Sequence, residues 1–148
     1  AGPLRGLLSV ATGIGAEPGA LLRRQLEGAL QAMNLLQRFD PRLAGPLVAG
    51  IADAQAAVVL HVCADHVDEV HHALADHGIP TRTIQTRLHI PREGTQALPG
   101  IAFLAGDQAF RILVFSEAQF RQRLRVGDEP EPSKRLGLAA VRRWLESL

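Results

Sequence analysis

The chain is 148 residues long, 47% hydrophobic, and carries a formal net charge of +1. That length suits one domain with a core of its own, and the hydrophobic share excludes a disordered chain. The small net charge gives no global pull toward nucleic acid or membrane, and no run of about 18 apolar residues could span a bilayer. A lone cysteine, Cys63, excludes an internal disulfide framework and suits a reducing compartment, so a cytoplasmic location and no membrane contact are expected. Arg5 followed by Leu7, Leu8 and Val10 is arranged like the start of a signal peptide. Gly6, Gly13 and Gly15 interrupt the run, and no signal is expected. One domain over 1–148 follows, with 1–17 irregular.

Glu17-Pro18 opens a helix whose stripe is Leu22, Leu26, Ala29, Leu30, Met33, Leu36 and Phe39, at spacings of three and four. Asp40-Pro41 stops it, because the residue before proline avoids helical backbone. Leu43 to Ile51 reads as a short or edge strand broken by Gly45, Pro46 and Gly50. Ala57 to Ala64 is β-branched and almost continuously apolar, the pattern of a strand covered on both faces. Asp65 is the expected cap of a second helix, with Asp68 and Glu69 in its first turn and Gly78 at its end. Thr81 to Ile90 alternates like a half-exposed strand, and Pro91 to Gly94 makes a turn. Ile101–Leu104 and Ala109–Phe115 are two more strands, joined by a hairpin at Gly106-Asp107. Arg121 to Pro132 reads as a polar connection, and Ser133 as the cap of a last helix. The expected fold class is α/β (α+β): a mixed sheet of about five strands with helices packed mainly on one side.

At Leu43 to Val62 the pattern of helix, short strand with a glycine turn, and following strand resembles the nucleotidyltransferase superfamily (DNA polymerase beta-like). More narrowly it resembles an uncharacterised bacterial branch, through Arg38-Phe39-Asp40-Pro41-Arg42-Leu43-Ala44-Gly45-Pro46, Gly50-Ile51-Ala52-Asp53 and Leu60-His61-Val62-Cys63-Ala64-Asp65. The likeness covers about Leu26 to the C-terminus. It implies a nucleotidyltransferase-like fold, a phosphate-holding turn at Gly45, and two metal-binding carboxylates on the second strand. The chain departs from that pattern where catalysis resides. Pro46 takes the place of the turn's serine and removes a hydroxyl and an amide donor. Ala57 and Val59 stand where the carboxylates belong, and Ala109 to Phe115 offers no third. Phosphoryl transfer rests on metal-borne charge neutralisation, so a catalytically degenerate binding or regulatory module is expected, with a nucleotide or a partner protein as ligand. Two alternatives stand beside it. One is an active, magnesium-dependent transferase using Asp53, Asp65 and Asp107 as displaced carboxylates. The other is a ferredoxin-like regulatory domain over Ala57 to Phe115, which would leave the first strand outside the sheet.

The candidate ligand-binding residues are Gly45, Arg82, Arg87, Arg121 and Arg123. Arginine gives bidentate contacts to phosphate, and these could converge on a nucleotide or an RNA backbone, against the plainer reading of a solvated basic surface. Asp65, Glu69, His72 and Asp76 share a helix face, but such a face is polar anyway, and no resident metal is expected. His61 is expected to be a hydrogen-bonded core residue, Cys63 an inert packed thiol, and Trp144 a core or interface residue. Gly13-Ile14-Gly15 lacks the preceding strand and third glycine of a dinucleotide fingerprint.

Overall fold

The computed structural model describes residues 19–148. The expectations for 1–17, for a helix opening at Glu17-Pro18 and for Gly13–Gly15 lie outside the described residues. Helix α1 (Ala20–Leu35) buries Leu26, Ala29 and Met33 of the stripe its spacing predicts, with Ala32 beside them. A 3-10 turn, Gln37–Phe39, tucks in Phe39, and Asp40 turns the chain at φ 54. Strand β1 is only Arg42–Ala44, shorter than the expected run to Ile51. Gly45 at φ 74 breaks it, and Pro46, whose fixed φ suits a first helical turn, starts the 3-10 segment Pro46–Ala49. Gly45 is needed for room as well as backbone freedom: a Cβ there would meet the Val59 side chain at 3.2 Å.

Strand β2 (Val58–Cys63) is the covered strand its apolar run predicts. Helix α2 (Val67–Ala75) is capped by His66 rather than Asp65, because the His66 amide donates to Glu69 Oε2 at 3.0 Å and closes the first turn. Strands β3 (Arg82–Ile90), β4 (Gly94–Ala105) and β5 (Gln108–Phe115) form an antiparallel meander. β4 begins at Gly94 rather than Ile101. β5 pairs with it only from Gly100 onward, so Pro99 stands where β4 has one neighbour, a position at which sheets accept proline. Helix α3 (Glu117–Arg121) follows, capped by Ser116, whose Oγ accepts the Gln119 amide at 3.3 Å. Strand β6 (Leu136–Gly137) leads directly into helix α4 (Leu138–Ser147). Ser133 therefore does not cap the last helix; its hydroxyl accepts the Gly45 amide at 3.0 Å instead.

The fold is a mixed α/β arrangement whose described residues form one six-stranded sheet in the order β3-β4-β5-β2-β1-β6. β2 and β5 run parallel, and the other neighbours are antiparallel. The sixth strand exceeds the expected five because β6 pairs with β1. The larger core, around Leu60, Val62, Phe110 and Ile112, is covered by α1, α2 and α4 with Leu26, Leu74 and Val141. Helices thus pack mainly on one side. The other face carries a smaller core of Leu88, Leu98, Leu113, Phe115, Leu124 and Val126. Residues 122–135 form a strap across that face, in place of the polar connection expected over Arg121 to Pro132. The strap buries Leu124 and Val126 and pairs with the free edge of β3 through His89 N to Arg125 O (2.9 Å) and Gly127 N to Arg87 O (2.8 Å). Trp144 packs half-buried against the larger core, as expected.

Candidate functional site

Alternation along each strand sends Val58, Leu60 and Val62 to the helix-covered face and Val59 and His61 to the strap face. On β5 the same rule turns Phe110, Ile112 and Val114 inward and leaves Arg111 on the strap face beside Leu113 and Phe115. The pairing registers then place Arg82, Ala102, Arg111, Val59 and Ala44 in one row across five strands. Arg82 and Arg111 lie two strands apart, about 10 Å, with the Ala102 methyl between them. They line an open groove of about 640 Å³ with Gln55, Ala57 and Leu104, and no carboxylate lines it. Leu104 is 67% exposed at its rim. The ion pairs among the described residues are Arg42–Asp40, Arg87–Asp128 and Arg121–Glu117, so neither groove arginine is committed to one. The groove can therefore hold an anion with an apolar body.

The strap seals the row beside it. The Arg135 Nε donates to His61 Nδ1 at 2.9 Å and its Nη1 to Phe120 O at 2.6 Å, while the guanidinium lies 4.9 Å from the Phe115 ring and 4.6 Å from that of Phe120. His61 is 2% exposed and its ring lies tilted against Phe115, centroids 4.7 Å apart, the hydrogen-bonded core residue its sequence context predicts. Burial, with a smaller push from the Arg135 charge, lowers its pKa from 6.5 to about 3. A base with a depressed folded pKa stabilises the fold fully above pH 6.5 and loses that contribution as pH falls toward 3. Acid should therefore cost about 1.4 kcal/mol per pH unit below 6.5, roughly 5–10 °C in Tm by pH 4.5. His61→Asn, whose Oδ1 can still accept from Arg135, should flatten that acid limb in a melting series from pH 8 to pH 4.5. An unchanged limb would assign the acid sensitivity to carboxylates. Arg135 itself is held below the usual guanidinium range by burial first, then by Arg42 and Arg123. Glu129, on the strap, keeps a buried Oε2 without a hydrogen-bond partner. Burial raises its pKa, and attraction to Arg111 opposes the rise.

The sequence candidates fall at separate places. Asp53 and Asp107 lie before β2 and β5, at one end of the parallel pair, whereas Asp65 follows β2. The six residues of β2, about 20 Å of extended chain, separate Asp65 from Asp53. Asp53 is engaged in its own loop: its Oδ1 accepts the Gln55 amide at 2.8 Å and its carbonyl accepts from Gln25 at 3.0 Å. Among the described residues no His, Cys, Asp or Glu cluster suits a metal ion. The five ligand-binding candidates do not converge. Arg82 lines the groove, Arg87 pairs with Asp128, Arg121 pairs with Glu117, and Arg123 stands in a cleft with Arg92 and Arg125. Gly45 is near Val59, but its amide is taken by Ser133. Burial and the Glu117, Asp40 and Asp65 carboxylates push the Cys63 thiol up, against only Arg121, which disfavours the thiolate. The side chain is half-buried and lines an open cleft rather than being fully packed as expected. Sequence reasoning missed Arg111 and Arg135. Arg111 had one signal, a single cation inside an apolar strand; Arg135 had none. No helix among the described residues is long and apolar enough to cross a membrane. Comparison of the chain with protein-family models, with curated proteins and with solved structures finds no match in any of the three.

Proposed function

We propose that the chain is a catalytically degenerate nucleotidyltransferase-like domain, serving as a binding or regulatory module that holds a nucleotide without metal. The observation that carries this reading is the row Arg82, Ala102, Arg111, Val59. In the family resemblance, Ala57 and Val59 occupy the positions of metal-holding carboxylates. Here the neighbour of Val59 in register is a cation, Arg111, so phosphate charge would meet the Arg111 and Arg82 guanidinium groups directly rather than through magnesium. The Ser133 hydroxyl on the Gly45 amide supports the same reading, since it fills the donor that a phosphate-holding turn would present. β1 hydrogen-bonds beside β2, which counts against the ferredoxin-like alternative.

The test is a thermal-shift series with nucleotides, with and without magnesium or manganese, run beside a labelled nucleoside triphosphate assay. One nucleotide at a hundred times its dissociation constant should raise Tm by roughly 5–10 °C, equally with and without metal, and without turnover. Arg111→Gln and Arg82→Gln should each remove most of that shift. A shift surviving both substitutions would move the ligand elsewhere. Metal-dependent turnover would return the reaction to displaced carboxylates at Asp53 and Asp107, and no shift with any nucleotide would leave a partner protein as the ligand.

A further inference from the structure

A second arginine cluster stands apart from the groove, at the far end of the β3–β4 hairpin. In the strap, Leu124 and Val126 are buried against the sheet, and the period of two turns Arg123 and Arg125 to the other side. Arg92 faces them across an open cleft of about 520 Å³ whose lining also includes His89, Leu124 and Glu131. Glu131 is its one carboxylate, against three guanidinium groups. Arg125 is fixed in place: Nη1 donates to Glu129 O at 3.1 Å, and Nη2 donates to His89 Nδ1 at 3.2 Å. The other His89 nitrogen lies 2.7 Å from Gly127 O, which can only accept. Held between these two contacts, the imidazole serves as a backstop that orients the arginine. Arg92 is held in a less common way. The Glu93 amide donates to Ile90 O at 3.0 Å across Pro91-Arg92, and Arg92 has φ 68. This is a type II turn with arginine at the position that favours glycine. A strained backbone that aims a charge into a cleft is a common feature of ligand sites. Prolines 91, 130 and 132 stiffen the walls.

We propose that this cleft is a second anion site, taking a multiply charged phosphate group on a small free ligand. Arg125 supplies the preoriented fork, and Arg92 and Arg123 close on it from the two sides. The site is independent of the groove between Arg82 and Arg111, because no residue lines both.

The experiment is calorimetric titration of the full chain with inorganic pyrophosphate at two salt concentrations, for wild type, Arg92→Gly, Arg123→Gln and the Arg82→Gln/Arg111→Gln pair. Wild type should bind, and binding should weaken as salt is raised. Arg92→Gly and Arg123→Gln should each weaken binding tenfold or more, and Arg92→Gly should melt no lower than wild type because the turn is relieved. In the groove pair, the pyrophosphate binding that Arg92→Gly and Arg123→Gln weaken should persist within twofold of its wild-type affinity, and only a separate set of sites at the groove should disappear. Failure of the groove pair to alter nucleotide binding would count against the proposed function and not against this site. Three results would overturn it: no binding of pyrophosphate, binding indifferent to Arg92 and Arg123, or loss of binding in the groove pair. The first of these, accompanied by binding of a single-stranded RNA oligonucleotide, would assign the cluster to nucleic acid instead.

Discussion

An Arg135→Ala variant is expected to lose about 3 kcal/mol of stability, or roughly 10 °C in Tm. The side chain donates to Phe120 O at 2.6 Å and to His61 Nδ1 at 2.9 Å, and both acceptors would be stranded beneath the strap. The guanidinium also fills the space above Phe115 and Phe120, so truncation opens a gap over two rings. Opposing these losses is relief of repulsion, because Arg42 and Arg123 crowd the same charge. Leaving two acceptors and two ring faces bare outweighs that relief, since the flanking cations are better solvated than the acceptors. Arg135→Lys should recover little of the loss, because an ammonium cannot reach both acceptors and cover the rings as a flat slab. Arg135→Met discriminates the causes. Urea denaturation of a methionine variant that matches wild type would show that packing alone holds the strap, and that the two hydrogen bonds contribute nothing.

Gly100→Ala should cost about 2–3 kcal/mol, as overpacking of a tight interior does. An added Cβ would lie 2.7 Å from Ile112 O and 3.1 Å from both Ile84 Cγ1 and Leu113 Cδ2. The side chains could yield by a rotamer change, but the carbonyl belongs to β5, which pairs with β4 from Gly100 to Ala105. Relief therefore requires prising apart two central strands. Elsewhere, glycine to alanine stabilises by about 0.4–1 kcal/mol through the unfolded chain, so the sign of this change isolates the steric effect. A denaturation midpoint equal to wild type would mean that β4 and β5 are held more loosely than the register implies.

What could be read from the sequence followed from local periodicity. The stripe Leu26, Ala29, Met33 marked α1, the run Val58 to Val62 marked β2, and the alternation Thr83, Gln85, Arg87, His89 marked the exposed face of β3. β6 was hidden because two residues, Leu136 and Gly137, carry no period and are a strand only by pairing with β1. The strap reads as a polar connection because its charged residues, Arg123 to Arg135, outnumber the two buried apolar ones, Leu124 and Val126. Half of the groove was legible, since Arg82 was a candidate on chemical grounds. Its partner was not, because Arg82 and Arg111 meet through a register spanning three strands, which no local pattern encodes. The same reason scattered the acidic candidates: Asp53 and Asp65 are close in sequence but sit at opposite ends of a fully extended β2.

The strand order also sets the order in which the chain can fold. β3, β4 and β5 are joined by short turns and can zip together as soon as they emerge during synthesis. β1 and β2 are similarly local, and the parallel seam between β2 and β5 then unites the two halves across a long loop. Closure comes last. α4 packs on α1 and buries Val141 in the same core, and β6 hydrogen-bonds to β1. The earliest helix of this core thus waits with part of its apolar stripe uncovered until residues 136–147 have been made. On the ribosome, that interval is when the nascent chain is most open to misassociation or to capture by a chaperone.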